Sequence, residues 1–354
     1  MCCLDEAHSV KSKLTTRRRF STTAFLILAL WLVWSLDSRA AGVIAYYQDD
    51  GGVSSGALRT ECASFNEIAS DTYSVNTLGV VTGTTVTTDL AFAQQHGMNT
   101  FATVSNYGRT DFSPGIGNAV IRSATSTKRF ISGMLKILAA GKYTGINIDF
   151  ESIPRTDRIP FTRFITAVTK QMHAAGYQVV VSVPAELQDD PTDSWSGAFD
   201  FKALGKIVDI LQLMTYDENG TWSAPGPVAG LDWVTACVTY AASVVPPSHI
   251  SMGIPAYGYD WDLKVPKNNT SITWTSAEAL LTQTGATPQW DTATSSPWFT
   301  YTLNGHNHIV WYENPQSIDQ KVILVNAKGL NGVSVWALGM GGADFWQAIH
   351  SGGF

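Results

Sequence analysis

Cysteine is scarce in this chain, and its scarcity removes two ways of holding a fold together. Of the four cysteines, Cys2 and Cys3 lie near the N-terminus, which leaves Cys62 and Cys237 far apart. Two cysteines make no disulfide framework, and they show no metal-ligand spacing. A single Cys62–Cys237 bridge and two buried thiols both remain open; the thiols are the expectation. Charge is sparse too: 15% of residues are Asp, Glu, Lys or Arg, and the net charge is −6. No basic run occurs beyond Arg19, so the electrostatic footprint of a nucleic-acid binder is missing. Histidines are scattered. His306 and His308 share one segment, but no third ligand accompanies them, and no metal site is expected. Ser105 and Ser182 lack the surroundings of a nucleophile elbow, and there is no phosphate-cradling glycine loop. Internal repeats, heptads and low-complexity tracts are absent.

What is present is a globular composition, 45% hydrophobic over 354 residues. That is enough chain for one large barrel or two modest domains. The first 40 residues read as an export signal. Lys11, Lys13 and Arg17–Arg19 form a basic stretch, and Ala24–Leu36 is an apolar core. Ser38-Arg39-Ala40 offers small residues for cleavage after Ala40. Thr16-Arg17-Arg18-Arg19-Phe20 has a twin-arginine look. A secreted or periplasmic protein is expected, with no membrane association once the signal is gone, because the apolar core is short for a span. The remaining chain would carry 17 basic and 26 acidic side chains, a net charge of −9.

From Gly42 onward, short apolar strands alternate with helical stretches, the pattern of an α/β fold with a parallel sheet. Strands are expected at 42–48, 71–80, 99–105, 144–154, 177–184, 207–216, 250–257 and 332–338. Amphipathic helices are expected at 89–96, 130–140, 161–175, 233–244 and 316–328. Eight strand candidates over this length predict a (β/α)8 TIM barrel spanning residues 41–354. A small α+β insertion is expected between strand seven and its helix, at about 262–313. Its hairpin is marked by alternating Phe299–Leu303, an Asn304-Gly305 turn and returning His306–Tyr312.

The segment Thr144–Pro154, TGINIDFESIP, organises the functional reading. Residues two apart in a strand share a face. Asn147, Asp149 and Glu151 therefore point one way, and Ile146, Ile148 and Phe150 the other. An apolar outer row and a polar inner row describe a barrel strand covered by helices. Glu151 would sit at the C-terminal mouth with Asp149 one step deeper, an arrangement suited to a proton donor beside a tuned carboxylate. Spacing alone leaves catalysis and helix capping both open. The segment also resembles the signature of glycoside hydrolase family 18, D-G-x-D-x-D-x-E. Gly145, Asp149 and Glu151 match it, while Thr144 and Asn147 replace its first two aspartates. Asn at the second place is found in the branch of YaaH/SleL-type spore-cortex peptidoglycan hydrolases. Thr144 departs even from that branch. It lies at the far end of the strand, where its effect is expected to be structural.

A second segment, Gln212-Leu213-Met214-Thr215-Tyr216-Asp217, resembles the family's strand-six motif, Q-x-M-x-Y-D. Strand parity turns Gln212, Met214 and Tyr216 inward together. Segments around 225–234, 253–259, 311–313 and 332–339 are similar to the same branch, so the resemblance covers most of the chain after the signal. By resemblance, Trp336 would floor the pocket beneath the reacting sugar. Trp222 and Trp261, just past strands six and seven, would contact the glycan at the barrel mouth together with Tyr257 and Asp217, and Asn147, Gln212 and Met214 are expected to bind substrate with them. The resemblance implies a glycosidase acting on β-linked N-acetylglucosamine in peptidoglycan or chitin. It also implies the substrate-assisted retaining route, with no cofactor. Glu151 would donate the proton, Asp149 would orient the substrate's acetamide, and Tyr216 would donate a hydrogen bond to it. Asn147 in place of a carboxylate is expected to ease ionisation of Asp149. The alternative is a weak or inactive chitinase-like sugar-binding protein on the same barrel. A monomer is expected.

Overall fold

The computed structural model describes residues 42–353. The export-signal reading of residues 1–40 lies outside the described residues. Eight parallel strands close into a barrel: β1 Gly42–Gln48, β2 Glu67–Val75, β3 Asn99–Ser105, β4 Gly145–Asp149, β5 Gln178–Pro184, β6 Ile210–Met214, β7 Ile250–Pro255 and β8 Gly332–Trp336. Each strand pairs with its sequence neighbour, and β1 pairs with both β8 and β2 to close the ring. Closure leaves no open sheet edge, so every strand is satisfied on both sides.

Period-two alternation sorts the side chains. Ile44, Tyr46, Ala69, Phe101, Val180 and Ile210 pack inside the barrel. Ile146, Ile148, Phe150, Val181, Leu211 and Leu213 face outward into the layer shared with the helices. Phe150 stacks on Phe164 with ring centroids 5.5 Å apart, and Phe130 meets both rings, which ties β4 to the helices Ala124–Gly141 and Arg158–Ala174. That packing holds the strand carrying Asp149 and Glu151 from behind.

The expected strand at 71–80 is displaced: β2 ends at Val75, and residues 76–80 form a turn closed on Asn76. A bulge between Asp71 and Tyr73 shifts the register there. Ile68 and Tyr73 both face outward although five apart, so an alternation count across the bulge fails. The insertion follows β7 as expected. Its first strand, Tyr257–Asp262, begins ahead of the expected boundary, after the single residue Ala256. Five antiparallel strands and the helix Trp274–Thr284 make up this flap. Its hairpin turns at Asn304-Gly305, both at positive φ (52° and 76°), the geometry of a two-residue turn. No helix among the described residues is long and apolar enough to cross a membrane. Cys237 is buried, and burial pushes its thiol up to about 12; Cys62 is also buried.

Candidate active site

The C-terminal ends of the barrel strands open onto a cleft of about 690 Å³. Asp149 and Glu151 from the end of β4 line it, as do Gln212, Met214 and Tyr216 from β6 and the loop after it. Trp336 from β8 also lines it, with its ring 5.5 Å from that of Tyr46 on β1. The two segments singled out in the sequence thus meet in one cavity.

The backbone of Glu151 is held by a residue the sequence gave no reason to choose. Asn106, fully buried after β3, accepts from Glu151 N at 2.9 Å and donates to Glu151 O at 2.8 Å. Its side chain also donates to Ser113 O at 3.0 Å. This two-way clamp fixes where the Glu151 side chain leaves the strand. Burial pushes the Glu151 carboxyl up to about 8, and Asp217, Asp111 and Asp71 add to the rise. Asp149 is held well above the ordinary carboxylate range by burial, with Glu151 and Asp71 reinforcing it and a hydrogen bond from Ser182 opposing it. One oxygen of Asp149, Oδ1, is buried without a hydrogen-bond partner. A buried acceptor in that state calls for a donor from a bound molecule.

Asp71 is the third acid of this group. On β2 it is level with Gln48 of β1 and Thr103 of β3, and Thr103 is in turn level with Asn147. Burial raises it to about 6. A two-Asp row has therefore lost one carboxyl at Asn147, while another acid faces in from a neighbouring wall. The expected easing of Asp149 meets this opposing charge.

Asn147, expected to bind substrate, does not line the cleft. It is completely buried one step below Asp149, and its Nδ2 donates to the hydroxyls of Tyr46 and Ser182, each at 3.2 Å. Those side chains and Asp149 cover it, so it shapes the floor without reaching a ligand. Thr144, at the opposite end of β4, accepts from Thr100 N at 2.9 Å through its hydroxyl, a structural role.

Tyr216 has room because β7 carries a glycine beside it: a Cβ on Gly253 would lie 2.8 Å from the Tyr216 ring. Burial lifts its phenol well above the ordinary value, so it stays a donor. Asp217 sits at positive φ (63°) and accepts from Tyr257 at 2.6 Å and Tyr259 at 2.8 Å. Tyr257 and Asp217 both line the cleft, and their hydrogen bond links the β6 loop to the insertion.

The two tryptophans expected at the mouth part company. Trp222 lines the cleft and is 68% exposed, an indole face presented to solvent. Trp261 is buried in the insertion, because its Nε1 donates to the carbonyls of Gly220 and Ser223 at 3.2 Å each. It supports the loop that carries Trp222 and is not a cleft-lining residue. Four lining aromatics escaped sequence reading: Tyr46, Phe112, Trp195 and Trp233. Trp195 is 52% exposed and belongs to an irregular loop where no period marks an inward face. Among the described residues, no group of His, Cys, Asp or Glu is arranged to hold a metal ion.

Comparison with known proteins gives the family. Residues 44–341 match the family model for glycosyl hydrolases family 18. The chain is 33% identical over 330 residues to a Bacillus subtilis protein described as the uncharacterized glycosylase YvbX, covering 92% of this chain and 96% of that one. Among solved structures it is similar to a chitinase from Chromobacterium violaceum: 38% identity, TM-score 0.84, covering 88% of this chain and 99% of that one. It is also similar to the Bacillus cereus spore cortex-lytic enzyme SleL: 26% identity, TM-score 0.83, covering 89% of this chain and 75% of that one. With the eight-stranded barrel and the acid pair at its mouth, these matches place the chain in glycosyl hydrolase family 18, and it is a glycosidase.

Proposed function

We propose that this protein hydrolyses β-linked N-acetylglucosamine polymers, of the chitin or peptidoglycan kind, by a retaining, substrate-assisted mechanism. The observation that carries the reading is Glu151: a carboxyl raised to about 8, at the cleft, one strand step above a buried Asp149 whose Oδ1 has no partner. A group with that value holds its proton at neutral pH and can give it to a glycosidic oxygen. The oxygen of the substrate's acetamide attacks the anomeric carbon, and the aglycone leaves with the proton. Asp149 accepts the acetamide N–H, which orients the amide and stabilises the positive charge that develops on it. The Tyr216 phenol donates to the same group. Glu151, now ionised, takes a proton from water, which opens the oxazolinium ring with net retention. Trp336 and Trp222 offer apolar faces to sugar rings. The N-terminal segment supports export, and a single chain supplies every residue invoked here.

The test is Glu151→Gln. Turnover of N-acetylated chito-oligomers should fall by ~10²–10⁴, the usual worth of a general acid, while binding of the oligomer persists in calorimetry. Unchanged turnover would remove Glu151 from this role. A wild-type protein that binds but never cuts would favour the sugar-binding alternative.

A further inference from the structure

Neither of the two helices packed behind β4 contains an acid. Ala124–Gly141 and Arg158–Ala174 have no Asp or Glu, in a chain that has 29 of them and a net charge of −6. Between these helices, on the outside of the barrel, runs a groove of about 990 Å³. Ile131 and Leu135 from the first helix and Phe164 and Ala167 from the second give it an apolar floor. Lys128, Lys136, Arg163 and Lys170 line it as well, and all four are exposed. No carboxyl group lines it, and none of its residues lines the cleft at the barrel mouth.

These four cations are free where the neighbouring basic groups are engaged. Arg129 donates to Leu78 O, Arg158 pairs with Asp189 at 2.7 Å, and His173 meets Asp209 at 2.8 Å. Arg122, at one end of the groove, is held by Asp157. Lys128, Lys136, Arg163 and Lys170 have no hydrogen-bond or ion-pair partner among the described residues. Their spacing is regular. Each helix joins the end of one parallel strand to the start of the next, so both run from the barrel mouth to its base. Lys128 and Arg163 lie in the second turn of their helices, and Lys136 and Lys170 stand about 10–12 Å further on by helical rise. Each rim of the groove thus bears a cation at two levels above the apolar floor.

A ligand for this surface needs negative charge on both flanks of an apolar stripe. On the first helix the groove is lined by Ala124, Lys128, Ile131, Leu135 and Ala139, at steps of three and four. A third helix laid along such ridges seats its own i, i+3, i+4, i+7 stripe between them. Acids about seven residues apart on that helix meet both cation levels. A flat bilayer touches only the rims and leaves the floor wet, and a polyanion without apolar groups leaves it wet too. We infer that the groove docks an acidic amphipathic helix of a partner protein. Docking there holds the glycosidase in place and leaves the cleft open. Apolar burial supplies the strength, and the unpaired cations select the partner and speed encounter.

The probe is a synthetic helix of about 18 residues, ~27 Å long, with Leu and Ala along one face and Glu on both flanks. Its control has the same composition, scrambled so that no stripe forms. Titrated into the full chain at low salt, the striped peptide should bind at least ~tenfold more tightly than the scrambled one, and added salt should weaken it. Lys128→Glu combined with Lys136→Glu should weaken it by at least ~tenfold, because two attractions become repulsions. Ala167→Trp, which fills the floor without changing charge, should do the same. Melting curves of both variants should match the parent; the charge-reversed variant, altered only at exposed side chains, decides alone if the tryptophan disturbs packing. Equal binding of the two peptides, or binding indifferent to the charge-reversed variant, would overturn the inference. Phosphatidylglycerol vesicles or polyglutamate binding through Lys128 and Lys136, with no binding of the striped peptide, would overturn it too.

Discussion

In the proposed reaction the proton donor is a single carboxyl, Glu151, whose proton affinity is set by its surroundings. Burial is the largest contribution to the rise of Glu151, and Asp217 is the first of the charges that add to it. Activity should therefore fall as pH rises through about 8, where Glu151 loses its proton. Asp217→Asn removes a negative neighbour, which makes Glu151 easier to ionise. The alkaline limb of the kcat/KM profile should then move to lower pH, by roughly half a unit to one unit for a neighbour of this kind. A limb that stays in place or moves upward would separate Asp217 from Glu151. Asp71→Asn should act in the same direction, since Asp71 also raises both Asp149 and Glu151. Much of the placement of these residues was legible beforehand. Strand parity brings Asp149, Glu151, Gln212, Met214 and Tyr216 to one side, and all of them line the cleft. Asn147 shows the limit of parity: facing inward is not the same as reaching the cavity. Asn106 and Asp71 were missed because their roles depend on which strands lie side by side, and no local pattern carries that information.

At the scale of elements, loops and the flap build the cleft walls, and their supports lie out of sight. Trp261 holds the 220–223 loop by two carbonyl contacts. Trp261→Phe keeps much of the packing. Gly220 O still accepts from Ser223 N at 3.0 Å and Ser223 Oγ at 3.1 Å, but Ser223 O loses its donor, at a cost of about 1–3 kcal/mol. Thermal unfolding should register the loss. KM for long oligomers should rise because Trp222 is less well placed, and an unchanged KM would disconnect the two tryptophans. Where the flap rejoins the barrel, Glu313 and Lys321 form an ion pair at 2.8 Å, 1% and 0% exposed at their side chains. Ser317 Oγ donates to the same carboxylate at 2.5 Å, at the start of the helix Pro315–Lys328. Removing one partner strands a buried charge. Lys321→Met should therefore destabilise the fold by about 3–5 kcal/mol, measured by denaturant unfolding. A loss under about 1 kcal/mol would mean that water reaches the site. The flap's hairpin could be read from Asn304-Gly305 because that dipeptide suits positive φ at both positions. The boundary at Tyr257 could not, since Ile250–Tyr257 runs on without a polar break. Only the contacts of Ala256, whose N donates to Trp336 O and whose O accepts from Trp274 N, show where the barrel ends and the flap starts.

Taken whole, the molecule concentrates raised acids at one end of a barrel that is otherwise conventionally packed. That arrangement has a stability consequence. Glu151 has an ordinary value of 4.5 and sits at about 8 in the fold. A group raised in this way favours the folded state fully below its unfolded value. The advantage is lost as pH rises towards the folded value. Glu151→Gln, permanently neutral, should match the parent near pH 4 and be more stable than it near pH 8, by on the order of 1–3 kcal/mol. Melting curves at the two pH values would show it, and equal stability at both would contradict the assigned environment. The barrel itself was legible from alternation and length, because closed parallel sheets demand buried outward rows on every strand. The misplaced β2 is the exception, where a bulge inverted the rule locally.

The central claim is that the substrate's own amide oxygen, and no second carboxylate of the protein, attacks the anomeric carbon. Its most direct test is the rate of hydrolysis of aryl chitobiosides whose reacting acetamide carries zero, one, two or three fluorines. Each fluorine makes the amide oxygen a poorer nucleophile, so log kcat/KM should fall steeply and progressively along the series. A flat series, with the trifluoroacetamide cleaved as fast as the acetamide, would contradict the account.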